Sequence, residues 1–449
     1  MRSLTATQLS AQKARTGVTI ILKVVLTSGA NTYTYTPSRI MNLSHTEKQF
    51  SHSANIFLDD SDKVLHGLDL EGYKAVISYG FTTSAGDEYS ACAPLYVIGQ
   101  QRDSYRGRLL VSLNTVGIMD LLADDKASAV YNQLSTNTST VQTLITAIAG
   151  ATLAPYTHCT AYTVTYDSTD ALLTTFIPAD FFQIGLNDNR LAKLKELLAY
   201  TTCKMVVKAD GAIHIFVPVT TGVVYDYEYS LADTYHIFFS KRFRRRLVFP
   251  NYIVVSSHPD QGSYTGTATD PSYTLIEKRE HYYMRPTSNA QAISLAEAIL
   301  SRYQIDAEAG AANIPLMNIG AEVYDYVNIT DSRAGDSRAG NLGWLTRHYE
   351  PGKFSMDFGF GKASILPLFD LAPALTDRDR DRDRETRGER DERLYQQLKD
   401  LYDKVNEILE LFDYYVSKDE FNKWMHDFQE DAWFRKVTVK EQLIIPIWS

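Results

Sequence analysis

Three cysteines, ten histidines and a short run of aspartates are the residues of this 449-residue chain with the most obvious chemistry. His158 stands beside Cys159, the pair of types that a thiol nucleophile and its base require. Neighbours on a strand point to opposite faces, so the pair reads as structural. Asp59, Asp60 and Asp62 in "LDDSDK" resemble the start of a calcium loop, since a hard cation wants carboxylate oxygens. The glycine and distal glutamate of such a loop are missing, and a turn held by Asx side chains is the better reading. Cys92, Cys159 and Cys203 are odd in number and widely spaced, with no CxxC. They imply neither a disulfide framework nor a zinc site, and they fit assembly in a reducing cytoplasm. HExxH, GxSxG, a Walker loop and GxGxxG after a strand are all absent from the sequence. The expectation is a non-enzyme, with no catalytic residue, no cofactor and no metal site.

The one basic cluster is "SKRFRRRLVFP", with Lys241, Arg242, Arg244, Arg245 and Arg246. On a strand, Arg242, Arg244 and Arg246 share one face. Three readings stay open, in this order: a solvated strand edge whose charge discourages pairing, an ionic contact with an acidic neighbouring subunit, and contact with DNA. The whole chain carries a net charge of −9, which argues against a general nucleic-acid binder.

The elements that would position these residues are mostly strands. From about Arg15 to Asn114, "VTIILKVVL", "TYTYTP", "HSANIFLDD", "GYKAVISYGF", "APLYVIGQQ" and "GRLLVSLNTV" follow one another between Gly- and Asp-rich turns. This spacing suggests an antiparallel barrel or sandwich. "VGIMDLLADD", "STVQTLITAIAG" and "RLAKLKELLAY" then bring helical periodicity, and "CKMVVKADGAIHIFVP" reads as a hairpin around Asp210–Gly211. Strands return from about Val223 to Leu368, interrupted by a helix over "NAQAISLAEAILSRYQIDAEAG". A second barrel interrupted by that helix is the simplest account. "DSRAG" occurs twice, from Asp331 to Gly340, and reads as a duplication in an exposed hairpin loop, with a binding loop as the alternative. The N-terminus lacks the apolar core of a signal peptide, and "VTIILKVVL" is too short to span a bilayer.

"DRDRDRDRETRGERDER", Asp377 to Arg393, holds eight acids and seven bases, a net −1. Tight nucleic-acid binding needs an uncompensated basic surface, so the run reads as a solvated joint. After it, Leu394, Leu398, Leu401, Val405, Ile408, Phe412 and Tyr415 step by 4 and 3 in alternation, a heptad seam. Leu409 and Leu411 broaden the stripe beyond what two strands need, so three or more strands, or a helix docked on something else, fit better. "SKDEFNKWMHDF" opens with a capping-box pattern, and "KVTVKEQLIIPIWS" reads as a strand with an apolar end that another chain would have to cover.

A resemblance rests on residues 289 to 366. The helix and the stretch "NIPLMNIGAEVYDYVNITD" are followed by "GWLTRHYEPGKFSMDFGFG". Pro315, Asn318, Gly320, Glu322, Asp325, Val327 and Asp331 fill one pattern, and Gly343, Trp344, Gly352, Phe354, Gly359 and Gly361 fill the closing hairpin. In these residues the chain resembles the tail (baseplate) hub proteins of tailed bacteriophages. The resemblance implies a mainly β chain with two antiparallel β-barrel hub domains, an inserted small α+β domain and a C-terminal coiled-coil helix. The corresponding boundaries are 1–118, 119–220, 221–370, a linker at 371–393, the coiled coil at 394–416 and a docking segment at 417–449. It further implies a homotrimer in the virion tail tip, made in the host bacterial cytoplasm. Such a ring joins a sixfold tail tube or distal tail protein to a threefold spike, fibre or tip protein, and DNA passes transiently through its lumen. Relatives often carry a peptidoglycan-cleaving domain or a long fibre region, and this chain lacks the motifs of the former. The alternatives are a receptor- or glycan-binding adhesin, the hub of a bacterial contractile injection system and, last, a hydrolase.

Overall fold

Alternation of apolar and polar residues is what builds the first hundred residues. In strand β1 (Thr19–Ser28), Leu22, Val24 and Leu26 are buried while their neighbours are not, the period-2 pattern of a half-buried strand. The same pattern recurs in β3 (Ile40–Lys48) and β4 (Ser51–Asp59), while β2 (Asn31–Tyr35), β5 (Lys74–Thr83), β6 (Gly86–Ala91), β7 (Leu95–Tyr105) and β8 (Arg108–Gly117) complete the first-half strands, β5 with residues 77 to 81 all buried. A short helix, α1 (Ala6–Lys13), precedes them. The computed structural model describes residues 2–361, apart from 15–18, 233–234, 239, 246–247, 259–261, 272–275 and 315–316.

The middle region holds the helices that periodicity anticipates. They are α2 (Ile118–Asp124), α3 (Val141–Ala149) and, after a single turn α4 (Leu172–Thr175) that periodicity does not anticipate, α5 (Arg190–Leu198). Side chains cap the two longer ones: Thr140 accepts from Thr143 N at 3.3 Å and Asn189 from Ala192 N at 2.9 Å. Short strands β9 (Tyr131–Asn132), β10 (Val164–Ser168), β11 (Gln183–Ile184), β12 (Lys204–Val207) and β13 (Ile213–Phe216) lie between and after them. β12 and β13 form the anticipated hairpin, with Val207 opposite Ile213.

The second half begins with β14 (Tyr227–Ser230) and β15 (Ser240–Arg245), followed by β16 (Tyr252–Ser257), β17 (Thr265–Thr269) and β18 (Arg279–Met284). Helix α6 (Asn289–Ala307) leads into β19 (Glu308–Ile314), β20 (Tyr326–Asp331), β21 (Asp336–Glu350) and β22 (Lys353–Phe360). The tandem "DSRAG" straddles the β20–β21 turn: Asp331 pairs with Asp336, so the second copy starts a strand and only the first fills the loop.

The sheets depart from the expected two barrels. Among the described residues, one sheet of 14 strands runs β15-β19-β22-β21-β3-β4-β8-β7-β5-β1-β2, with β14, β20 and β6 attached beside it, and none of the sheets closes into a barrel. The reason is visible at β3 and β21. Each pairs on one side within its own half and on the other side with its counterpart, from Trp344 opposite Lys48 to Tyr349 opposite Leu43. Edges that could have closed two separate barrels instead bond the halves together.

Three cores follow. One lies under the first-half strands and takes in Met317, Ile319 and Tyr349 from the second half. Another holds Tyr229, Phe238, Leu345, Phe358 and Phe360. The largest joins the middle helices to the three-stranded sheet β17-β16-β18 and to α6. Those strands and α6, read in sequence as parts of a second barrel, pack instead with the middle region. Gly266 permits this: a Cβ there would lie 2.1 Å from Ile293 N of α6. The joint from Asp377 to Arg393, the heptad residues Leu394 to Tyr415 and the segment 417–449 lie outside the described residues.

Candidate functional site

Three adjacent strands aim polar side chains into the first-half core. On β3, His45 and Glu47 occupy the inward positions that continue from Leu43. Across the ladders, Arg347 of β21 stands opposite His45 and His52 of β4 stands opposite Glu47. Arg347 and His45 are fully buried; Glu47 and His52 are 7% and 9% exposed.

The N-terminal arm brings a second arginine to the same point. The Arg2 guanidinium donates to Glu47 Oε1 at 2.8 Å, Ile319 O at 3.1 Å and Glu322 Oε1 at 3.3 Å, and lies 3.0 Å from Cys92 Sγ. Arg347 donates to the same Glu47 oxygen, to Ala321 O at 2.6 Å and, at 3.4 Å, to Asn318 O. Its guanidinium also sits 5.4 Å from the centre of the Tyr79 ring. The arm is held on both halves. Arg2 N donates to Gly320 O at 3.0 Å, and Gln12 Oε1 accepts from Ile319 N at 2.8 Å. Thr5 and Thr7 donate to Glu88 of β6 at 2.9 and 2.7 Å. Thr5 caps α1 in a capping box with Gln8, which fixes the angle at which the arm leaves the helix.

The two histidines complete the cluster. His45 Nε2 and His52 Nε2 are 2.7 Å apart, so one donates to the other, and His45 Nδ1 is 3.2 Å from the Tyr79 hydroxyl. Both Nε2 atoms lie 3.9 Å from Glu47 Oε1. Burial lowers both histidines below their ordinary value, most strongly His45. Burial alone would raise the Glu47 carboxyl, but Arg2 and Arg347 hold it well below the usual carboxylate range. Burial pushes the Cys92 thiol and the Tyr79 hydroxyl up.

Two imidazoles and a carboxylate whose ligand atoms all lie within 4.8 Å have the composition of a zinc site. The charges argue otherwise. Arg2 and Arg347 are balanced by Glu47 and Glu322, both guanidiniums already bind Glu47 Oε1, and a divalent cation would leave a net +2 in the core. The cluster is a network of ions and hydrogen bonds that ties the arm, the first half and the second half together.

Asn318, Gly320, Glu322 and Asp325 of the sequence pattern lie at this same seam. Asn318 Oδ1 accepts from Gly320 N and Ala321 N, both at 3.0 Å, and its amide donates to Tyr229 Oη at 2.9 Å. Asp325 Oδ2 accepts from Glu322 N at 2.8 Å, and burial raises the Asp325 carboxyl to about 7. These bonds give a buried loop the partners its backbone would otherwise lack. Gly343 sits where β21 shifts register, and a Cβ on it would come within 1.4 Å of Gly361 O. Trp344 pairs with Gly359 on one side and with Lys48 on the other. Pro315 lies outside the described residues.

The other sequence candidates are scattered. Lys241 Nζ binds Asp336 and lies 3.8 Å from Asp331 Oδ2, both in this same chain. Arg242, Arg244 and Arg245 share β15, the end strand of the large sheet, and Arg246 lies outside the described residues. His158 Nε2 is 3.5 Å from Cys159 Sγ, but burial, with Asp125 beside it, pushes that thiol up, away from the reactive thiolate. Asp59, Asp60 and Asp62 hold turn groups, including Leu65 N at 2.7 Å and Arg39. Sequence reasoning missed Arg2, His45, Glu47, His52 and Arg347. The available signal was "HTE" at inward positions of a strand, followed by a hairpin return carrying His52.

No protein-family model matches the chain, and no curated protein matches its sequence. Solved structures do match. The tail protein from Neisseria meningitidis MC58 superposes with a TM-score of 0.54 at 10% identity, over 78% of this chain and 98% of that one. The chain has the fold of this tail protein. Similar too are the 43 kDa tail protein of prophage MuSo2 from Shewanella oneidensis, with a TM-score of 0.48 at 12% identity over 79% of this chain and 99% of that one, and prophage tail protein gp18 from Listeria monocytogenes EGD-e, with 0.48 at 12% identity over 76% and 96%. Within the tail-protein fold of this chain, the polar seam lies where the two halves of the large sheet meet.

Proposed function

We propose that the chain is a structural subunit of a tail or baseplate, and that three copies form the hub ring between a sixfold tail tube and a threefold spike, fibre or tip. The observation that carries this reading is the match in fold over 98% of the Neisseria tail protein. The continuous sheet supports it: two strand-rich halves bonded edge to edge make one stiff piece, which a ring that bears load requires. The pattern residues Asn318, Gly320, Glu322 and Asp325 act as the scaffold of the seam, and nothing in this role calls for catalysis.

Each copy would contribute two strand-rich positions, so that three copies present six to the tube. The heptad residues Leu394, Leu398, Leu401, Val405, Ile408, Phe412 and Tyr415 would bundle on the threefold axis, and residues 417–449 would hold the tip protein. Strand β15, with its arginines at the end of the sheet, would face a neighbouring copy. DNA would pass through a lumen that the chain's net −9 keeps from binding it tightly. Electron microscopy of the source particle, labelled against this chain, tests the reading: label is expected at the distal end of the tail, and label along fibres or on another particle would overturn it.

A further inference from the structure

The buried seam has a property that a purely structural joint does not need. Its two histidines share one hydrogen bond in the core, and their surroundings fix what happens when a proton arrives. Facing the pair are Glu47 from β3, Tyr79 from β5, Arg347 from β21 and Arg2 from the arm, with Cys92 just after β6 and Glu322 from the buried loop in contact with Arg2, while Asp120 of α2 accepts from His52 N at 2.8 Å. A first proton on the pair puts a third cation around the single carboxylate of Glu47. A second sets N–H against N–H across the 2.7 Å gap between the two Nε2 atoms. Either state favours the departure of one cation to water.

The three cations are not equally held. The histidines stand on paired strands. Arg347 stands on β21, with strands on both sides and two loop carbonyls as further acceptors. Arg2 has Glu322 Oε1 and Ile319 O as further acceptors, but it stands on an arm outside any ladder, fixed by hydrogen bonds that Arg2 N, Thr5 and Thr7 donate and that Gln12 Oε1 accepts.

We propose that the seam is an acid-operated latch: protonation of the His45–His52 pair expels Arg2 from Glu47 and frees the N-terminal arm from both halves of the sheet. The freed arm uncovers Cys92 and leaves the β3–β21 joint held by Arg347, the Thr46–Thr346 hydrogen bond and the ladder. The lowered affinity of both histidines for protons sets the direction, since the latch stays shut near neutrality and yields as pH falls. The inference concerns one chain and stands apart from the hub reading.

Two measurements on the full chain test it. In hydrogen exchange with mass spectrometry, corrected for the intrinsic pH dependence, residues 2–14 are expected to lose protection by about tenfold or more between about pH 7.5 and about pH 5, while α5 and β12 stay protected. In labelling with 4,4′-dithiodipyridine, normalised to a free thiol at each pH and mapped by peptide, Cys92 is expected to react faster by a similar factor and buried Cys203 to stay unchanged. His52→Gln, which keeps a hydrogen-bonding group and loses the titration, is expected to abolish both responses; His45→Gln serves if that variant does not fold. An arm equally protected at both pH values overturns the proposal. So does a rise that Cys203 shares, which is global unfolding, and so does a response that survives both variants.

Discussion

Glu47 is the residue on which the seam turns, because one of its oxygens receives two guanidiniums inside the core. Glu47→Gln removes that charge and leaves Arg2 and Arg347 buried with too few anions, which should cost about 3–5 kcal/mol of unfolding free energy. A loss of less than about 1 kcal/mol in urea unfolding would show that the cluster is solvated after all. The titrating groups also set a pH profile, with signs that oppose. His236 is lowered to about 4 by burial and by Lys13. Its folded value lies below its unfolded one, so the unfolded chain takes up its proton first, and stability is lost as pH falls from about 6.5 toward 4, by roughly 3 kcal/mol in all. His45 and His52 act in the same direction. Asp325, raised to about 7, acts against them: its contribution is present below about pH 4 and lost as pH rises through 7. Denaturant midpoints from pH 8 to 4.5 should therefore fall with acid for the native chain and fall less for His236→Phe. A variant with an unchanged slope would remove His236 from the account. None of the five seam residues was singled out from the sequence. A polar side chain at an inward position reads as an interruption of the apolar pattern until its partners are known, and Arg347 lies 300 positions from Glu47.

Elements were legible where a local rule decides them. The inward row of Leu22, Val24 and Leu26, the stripe of Val141, Leu144, Ile145 and Ile148, and the Asp210–Gly211 hairpin all stand as periodicity and turn chemistry predict. Partners were not legible. Period 2 says which face of β16 is apolar, yet it does not say whether that face meets the other second-half strands or a helix, and the structure packs it on α6, in the core that also holds α3 and α5. The same holds at β3 and β21, where register is set by residues about three hundred positions apart. A test at this scale is Gly266→Ala, which places a methyl against the backbone of α6 and should destabilise by about 1–3 kcal/mol through overpacking. Thermal unfolding checks it, and an unchanged midpoint would mean that α6 does not sit on β17 as described.

At the scale of the whole molecule, the resemblance first read in the pattern from Asn318 to Gly361 agrees with the fold, although the expected barrels are open sheets joined edge to edge. Ring formation belongs to this scale, and so does the heptad seam. If the proposed coiled coil forms, replacing Leu401 and Ile408 with Asp should weaken self-association by tenfold or more, since charge at the centre of a helical bundle goes unpaired; sedimentation of the variant at matched concentration reads it. The most direct test of the central claim is the mass of the native full chain in solution by light scattering. The account predicts a species of three chains of 50.6 kDa, about 150 kDa, that persists on dilution. A single chain of 50.6 kDa that stays monomeric at every concentration would contradict it.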